Sequence, residues 1–357
     1  MVKTLGLALG SGGARGWAHI GVIRALEEAG IQIHAIAGSS IGAFVGAIYA
    51  ADELDELEAF VQNLNWRAIV SYFDVVFPST GLLDGNRIYD LLSEHLYDRH
   101  IEDTTIPFCC VATDLETGGP VCLEQGHLAD AVRASISIPG IFTPFLHSGR
   151  HLGDGGIVNP VPVDVARRLG VDVVLAVNLN HPAPPDETSG EMSTDSTAAP
   201  TRNQPDDSDP EMADGDRGAE SSDNPLTEAS ESDRNRMPEQ LDRLADQFQS
   251  TRAAKVLQRL QDQYATLQDQ LQAKLDNWMP EERQGPNIFD VIGVSLNVME
   301  QRVTHSMLTE HPPEILLQPP LSQYGIFDFH QAKAIIQTGY DYAQQQLPEI
   351  KAHLQME

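Results

Sequence analysis

The segment TLGLALGSGGARG, residues 4–16, decides the fold of this chain. Its first part, Thr4 to Leu9, is a short apolar run that predicts a buried strand, and a glycine-rich turn follows it. Residues 17–29 then carry apolar side chains at helical spacing, and Gly30 provides a helix stop. A strand, a glycine-rich turn and a helix in this order predict the first unit of an α/β fold.

The same alternation continues along the chain on both sides of a compositionally different central segment. Further strands are predicted over residues 31–37, 107–112, 171–178 and 314–317, and further helices over residues 41–50, 54–64, 288–308 and 329–345. Strands that alternate with helices imply a mostly parallel sheet with helices on both faces.

The central segment departs from this pattern in two ways. Residues 182–237 hold 15 acidic residues against 4 arginines and have no aromatic side chain, so we expect a disordered acidic insertion. From residue 238 to 279, leucines recur every three or four positions among glutamine and mixed charges. This pattern predicts a long amphipathic helix that packs on its own domain or on a partner, including a second copy of the chain. A helix lying on a membrane surface is less consistent with the glutamine-rich polar face.

The composition of the chain argues against several classes of function. The 357 residues contain 23 Lys plus Arg and 52 Asp plus Glu, a formal charge of −29 that disfavours nucleic acid and anionic bilayers as partners. No apolar stretch approaches the roughly 20 residues of a membrane span. Three cysteines, two of them adjacent, provide neither a disulfide framework nor a zinc site. We therefore expect a cytoplasmic protein with at most peripheral membrane contact and no metal.

Residues 38–42, Gly-Ser-Ser-Ile-Gly, lie between a predicted strand and a predicted helix. This is the context of a G-x-S-x-G nucleophile elbow, in which Gly38 and Gly42 allow a sharp turn that exposes Ser40 at a helix N-terminus. The helix dipole there favours a developing anion. The alternative is that Ser39 or Ser40 only caps the helix.

The glycine-rich turn after the first strand predicts a cradle of free N–H groups. In a parallel sheet this turn and Ser40 lie at the same edge, so the pair could form an oxyanion hole beside a nucleophile. A dinucleotide site is the competing interpretation. The glycine spacing does not match G-x-G-x-x-G, however, and the second strand ends without an acidic residue.

Asp154, within Gly153-Asp154-Gly155-Gly156, is the candidate base for such a serine. An aspartate between glycines is also typical of a plain tight turn. A serine-histidine-acid triad is the other option, but the histidines after Asp154 lie in no marked turn, and we expect His19, His147 and His151 to be packing or surface residues.

Taken together, these motifs resemble the patatin-like phospholipases, and more closely the bacterial branch that is similar to the catalytic region of neuropathy target esterase. The matching pieces span most of residues 5–178: Gly12-Gly13-Ala14-Arg15-Gly16, the turn around Ser40, Ala112-Thr113-Asp114-Leu115, Ala134 to Pro139, and Asp154-Gly155-Gly156 with Asn159-Pro160.

The resemblance implies a three-layer α/β/α fold and a serine-aspartate dyad that works without histidine or cofactor. Carried over to this sequence, it makes Ser40 the nucleophile, Asp154 the base, and Gly12 and Gly13 the oxyanion-hole donors. The supporting motif residues are Arg15, Gly16, Gly38, Gly42, Gly155 and Gly156. Ser11 departs from the family pattern, since many relatives have glycine there. The acidic insertion is not explained by the resemblance.

Composition and the resemblance together give a domain plan, and the resemblance implies an activity. Residues 1–181 would be the catalytic core, interrupted by the insertion of residues 182–237 and the helical segment of residues 238–284, and completed by residues 285–357. The implied activity is hydrolysis of phospholipid or lysophospholipid acyl esters through an acyl-enzyme. The alternative is a catalytically idle scaffold that docks partners through the insertion and the leucine-rich helix.

Overall fold

The computed structural model describes residues 2–64, 81–96, 99–181 and 288–356. The predicted acidic insertion and the predicted helix of residues 238–279 lie outside the described residues. The described parts before and after them pack on one another in a single compact unit.

Ten strands are described. They are β1 (Leu5–Leu9), β2 (Ile33–Ser39), β3 (Gly81–Leu83), β4 (Phe108–Asp114), β5 (Pro120–Leu123), β6 (Gly140–Phe142), β7 (Phe145–His147), β8 (Arg150–Asp154), β9 (Val173–Val177) and β10 (Ile315–Leu317).

Eight α-helices are described, with short 3₁₀ turns at Gly13–Trp17, Ile101–Asp103, Gly155–Ile157 and Phe329–Gln331. The helices are α1 (Ala18–Glu28), α2 (Ile41–Ala50), α3 (Leu54–Gln62), α4 (Asn86–Leu96), α5 (Leu128–Ser135), α6 (Val163–Arg168), α7 (Ile288–Glu310) and α8 (Ala332–Leu354).

The main sheet has the order β10-β9-β1-β2-β4-β8-β7, and β5 pairs with β4. The five strands from β10 to β4 are parallel, whereas β8, β7 and β5 join antiparallel. The prediction of a mostly parallel sheet is therefore confirmed. The antiparallel edge was not predicted, because its strands are short and half-polar.

Helices cover both faces of this sheet. The side chains of Leu5, Leu7 and Leu9 point into one core together with α1, α2, α5 and α8, whereas Ala8 points into a second core with α6. Successive side chains along β1 thus point alternately to the two helical layers. This is the predicted three-layer α/β/α arrangement.

Helices α1 and α8 cross at a close backbone contact. A Cβ on Gly21 would lie 2.0 Å from the Ile336 carbonyl oxygen, and a Cβ on Gly339 would lie 2.3 Å from the Ala18 carbonyl oxygen. Only hydrogen fits at both positions, so two glycines far apart in sequence set the distance between these helices. This contact fastens the C-terminal helix to the first helix of the fold.

Several predicted helix bounds differ from the observed ones, most by one to three residues. The first helix begins at Ala18 rather than Trp17, because a 3₁₀ turn occupies Gly13–Trp17. The last helix does not end at Gln345 but continues through Pro348 to Leu354. Proline removes one backbone hydrogen bond from a helix interior. Beyond it, Ile350 and Leu354 are buried in the main core, and their packing offsets that loss.

Candidate active site

Ser40 lies in a sharp turn between β2 and α2. Its φ of 54° and ψ of −123° place it in the left-handed half of the backbone map, which costs free energy for a residue with a Cβ. A Cβ on Gly42 would lie 2.1 Å from the Leu9 carbonyl oxygen, and one on Gly38 would lie 2.5 Å from the Gly42 carbonyl oxygen. Ser40 precedes α2 but its hydroxyl makes no capping hydrogen bond, so the capping interpretation is wrong for Ser40.

The sheet order brings Ser40 and Asp154 together. Strand β4 lies between β2 and β8, and Ser39 pairs with Val111 while Asp154 pairs with the next residue, Ala112. The two side chains meet above the end of β4, where Ser40 Oγ donates to Asp154 Oδ2 at 2.5 Å. Both residues are buried, with 5% and 3% of their surface exposed. The structure thus joins two residues that are 114 positions apart.

The Asp154 carboxyl group also accepts a hydrogen bond at Oδ1 from the Gly156 N–H, at 2.7 Å. Burial raises the pKa of Asp154 to about 7, and the hydrogen bonds from Ser40 and Gly156 partly oppose that shift. A carboxylate with this pKa is a stronger base than an exposed aspartate. It can accept a proton near neutral pH.

Two hydroxyl groups hold this pair in place. Ser135 Oγ accepts a hydrogen bond from the Ser40 N–H at 2.8 Å and donates to the Val111 carbonyl at 2.5 Å. Thr113 Oγ1 donates to the Asp154 carbonyl oxygen at 2.6 Å. Both residues lie in motifs quoted for the resemblance, but sequence reasoning assigned no role to them.

Gly12 and Gly13 line the same pocket as Ser40 and Asp154. Their φ angles are 153° and 58°, and a Cβ on Gly13 would lie 2.3 Å from the Ile326 carbonyl oxygen. Within the described part of the chain, neither of their N–H groups has an acceptor. Free backbone donors at a buried pocket can stabilise a developing oxyanion.

Arg15 does not line this pocket but lies behind the glycine-rich turn. Its buried guanidinium donates to the amide oxygens of Asn180 at 2.8 Å and Asn297 at 3.0 Å, and to the Gly12 carbonyl at 3.3 Å. Burial lowers the pKa of Arg15, and the charge of Glu300 opposes that shift. Through these hydrogen bonds, Arg15 stabilises the conformation of the glycine-rich turn. Gly16 also shapes this turn, since a Cβ there would lie 2.2 Å from the Ile41 side chain.

Glu300, on α7, is a second carboxyl group in the pocket, which sequence reasoning missed. Its Oε2 accepts a hydrogen bond from Asn180 Nδ2 at 2.5 Å, and the same amide donates to Ser11 Oγ at 3.1 Å. Burial and the nearby charge of Asp154 raise the pKa of Glu300 to about 8. No local signal marks Glu300, because it is one charged residue in a helix that follows the insertion.

Ser11, the departure from the family pattern, fits this network. It is buried, its N–H donates to the Pro160 carbonyl at 2.8 Å, and its hydroxyl accepts from Asn180. A side chain at this position is therefore accommodated by a polar partner. None of its hydrogen bonds in the described ranges occupies the Gly12 or Gly13 N–H group.

Among the described residues, no histidine lines the pocket. His19 is fully buried with Nε2 at 2.8 Å from the Gly10 carbonyl oxygen, and burial lowers its pKa to about 4. His147 and His151 lie on the β7–β8 hairpin, half-buried and exposed respectively. Across the described ranges no group of three or more His, Cys, Asp or Glu side chains is arranged to hold a metal ion.

Apart from Asn297 and the backbone of Gly156, the rest of the pocket wall is apolar. It is formed by Ile138, Pro139, Ile157, Leu296, Met299 and Ile326. Ser40 and Asp154 therefore share a pocket with six apolar side chains that can contact a hydrocarbon chain. None of the helices in the described residues is long and apolar enough to cross a bilayer.

One part of this chain matches a known family model. Residues 7–167 match the family model described as patatin-like phospholipase, a range that contains Ser40, Asp154, Gly12 and Gly13.

Curated relatives match about half of this chain. An uncharacterized NTE family protein of Mycobacterium tuberculosis is 45% identical over 174 residues, which are 49% of this chain and 48% of that protein. The lysophospholipase nte1 of Aspergillus fumigatus is 36% identical over 50% of this chain and 12% of its own length. Patatin-like phospholipase domain-containing protein 7 of Rattus norvegicus is 35% identical over 50% of this chain and 14% of its own length. The chain thus spans half or less of the length of these relatives.

Proposed function

We propose that this chain, which carries a patatin-like phospholipase domain at residues 7–167, hydrolyses acyl esters of phospholipids or lysophospholipids through a Ser40–Asp154 dyad. The observation that carries the proposal is the 2.5 Å hydrogen bond between Ser40 Oγ and Asp154 Oδ2 in a buried pocket. The unusual backbone of Ser40 supports it, and so do the N–H groups of Gly12 and Gly13, which have no acceptor among the residues that the structure describes.

Acylation begins when Ser40 Oγ attacks the ester carbonyl carbon and Asp154 accepts the hydroxyl proton. The carbonyl oxygen becomes an anion, to which the Gly12 and Gly13 N–H groups donate. Such a donor typically lowers the barrier by about 3 kcal/mol. When the carbon–oxygen bond to the alcohol breaks, Asp154 returns the proton to the leaving oxygen, and the acyl group remains on Ser40.

Deacylation repeats these steps with water as the nucleophile. Asp154 accepts a proton from the water as its oxygen bonds to the acyl carbon, and the same two N–H groups stabilise the second oxyanion. The proton then passes to Ser40 Oγ as the fatty acid leaves. The Asp154 carboxyl group serves in both acylation and deacylation, because its raised pKa lets it accept and release a proton near neutral pH.

The pocket and the relatives support the proposed substrate class. The apolar wall accommodates an acyl chain, and one relative is named a lysophospholipase. The net charge of −29 opposes binding to an anionic bilayer, which favours lipids presented as monomers or micelles.

Covalent labelling with a fluorophosphonate probe, read by intact mass, tests the dyad. We expect one adduct on the wild type, none on Ser40→Ala, and a loss of at least about 100-fold in labelling rate for Asp154→Asn, since a general base typically contributes 10² to 10⁴.

Ser39→Ala is the matched control, because Ser39 is the adjacent buried serine and its hydroxyl has no partner in the described part of the chain. It should be labelled like the wild type. A folded wild type that forms no adduct, or a Ser40→Ala variant that still does, would contradict the proposal and favour the idle scaffold.

A further inference from the structure

The outer side of α7 is apolar in the first half of the helix. Val291, Val294 and Val298 recur at intervals of three and four residues, so they lie on one side of the helix, with Met299 beside them. Between 48% and 65% of each of these residues is exposed. Residues 291–299 hold no charged side chain, although charged residues make up 21% of the chain. We call Val291, Val294, Val298 and Met299 the valine face.

The same side of α7 is polar in the second half of the helix. The exposed positions there include Arg302, His305, Ser306 and Thr309. The residues of α7 that line the catalytic pocket all lie within residues 296–300. The apolar exposure therefore ends where α7 leaves the pocket wall.

Helix stability does not explain exposed valines on α7. Valine is β-branched, loses side-chain freedom in a helix, and is a weaker helix former than lysine, glutamate or glutamine. An exposed valine also leaves hydrocarbon in contact with water. Contiguous exposed apolar surface of this kind marks sites that interact with proteins or membranes.

The valine face is continuous with the rim of the catalytic pocket. Met299 belongs to both, since it lines the pocket and is half exposed. Pro139 also lines the pocket and is exposed. The next residue, Gly140, lies against α7, because a Cβ there would be 3.5 Å from Ile292 Cδ1. The exposed apolar surface thus reaches the opening of the pocket that holds Ser40.

We propose that the valine face docks on a lipid aggregate without net charge, such as a vesicle or micelle of zwitterionic phospholipid. The inference rests on the proposed lipid-ester hydrolysis, because docking brings the pocket opening to the substrate. An amphipathic helix can lie in a lipid interface with its apolar side among the acyl chains. The formal charge of −29 opposes an anionic surface, whereas the uncharged valine face can contact a neutral one.

The position of the valine face favours lipid over a protein partner. A lipid-docking surface has to border the pocket opening, and the valine face does so through Met299. A site for another protein, or for a second copy of this chain, has no reason to end where α7 leaves the pocket wall.

Sedimentation of the full-length protein with phosphatidylcholine vesicles tests the docking. We expect the double variant Val294→Asp/Val298→Asp to lower the partition coefficient at least about tenfold, because it replaces two apolar contacts by charges. His305→Asp/Thr309→Asp is the matched control, with the same spacing on the polar half of the same side, and should bind like the wild type. Val294→Leu/Val298→Leu should bind more tightly, roughly threefold for each added methylene. Misfolding cannot produce such a gain.

Hydrolysis of a short-chain nitrophenyl ester separates this inference from the proposed function. The ester is monomeric and needs no lipid surface, so Val294→Asp/Val298→Asp should hydrolyse it at the wild-type rate while losing activity on phospholipid vesicles. A wild type that cleaves the ester but leaves the vesicles unbound would overturn the docking alone. So would aspartate variants that bind vesicles like the wild type, or that change only the oligomeric state. A wild type that cleaves no ester would instead contradict the proposed function.

Discussion

At the scale of single residues, the burial of Asp154 has an energetic consequence as well as a chemical one. The folded pKa of about 7 lies above the ordinary aspartate value of about 3.9, so the folded state holds more protons than the unfolded chain between these values. The contribution of this group to the free energy of unfolding is therefore largest below pH 4 and decreases as the pH rises to 7.

We expect Asp154→Asn to lose activity and gain stability above pH 7. The gain is bounded by about 1.4 kcal/mol for each pKa unit of the shift, and it should vanish near pH 4. Urea unfolding of the wild type and the variant at pH 4.5 and pH 8 measures this difference. An equal loss of stability at both pH values would show that the carboxylate is not destabilised by burial.

Glu300 is the second residue-scale case. An ionised Glu300 would repel the oxyanion. Because the pKa of Glu300 is raised to about 8, its carboxyl group is still largely neutral between pH 7 and pH 8, where Asp154 is already ionised. We expect kcat/KM to rise through pH 7 as Asp154 ionises and to fall above pH 8. Glu300→Gln should keep the activity at pH 7 within about threefold and remove the alkaline fall.

Glu300→Ala also removes the partner of Asn180 and should lower kcat/KM about tenfold at pH 7, the cost of one hydrogen bond. Hydrolysis of a nitrophenyl ester from pH 5 to 10 separates these variants. If Glu300→Gln retained the alkaline limb, Glu300 would not be its source.

At the scale of elements, the crossing of α1 and α8 depends on glycine. A methyl group on Gly339 would lie 2.3 Å from the Ala18 carbonyl oxygen, so Gly339→Ala must push two backbones apart. We expect a loss of about 1 to 3 kcal/mol, as for overpacking in a core. Gln337→Ala, an exposed position on the same helix, is the matched control and should change stability by less than about 0.5 kcal/mol. Denaturant unfolding measures both.

At the scale of the whole molecule, charge governs encounters with lipid surfaces. The formal charge of −29 repels an anionic bilayer at distances longer than those of direct contacts. We expect the pure protein not to sediment with vesicles of anionic phospholipid at physiological salt, and to sediment no less with neutral vesicles than with anionic ones. Preferential sedimentation with anionic vesicles would require a basic surface that the composition does not suggest.

The sequence by itself determined the parts of this protein that depend on neighbours in the chain. The strand of Leu5–Leu9, the helix of Ile41–Ala50 and the turn around Ser40 each follow from apolar spacing and glycine placement within about ten residues. The α/β class follows from their alternation. The motif residues Ser40 and Asp154 could be selected because glycines mark both turns.

Only the tertiary structure decided which distant groups complete the site. Ser135 contacts Ser40 across 95 positions, Asn180 contacts Glu300 across 120, and Arg15 contacts Asn297 across 282. A polar residue in a helix has the same local pattern whether it faces solvent or a pocket. Its partner and its pKa are therefore set by burial and by the charges that the fold brings beside it, neither of which is encoded in the neighbouring sequence.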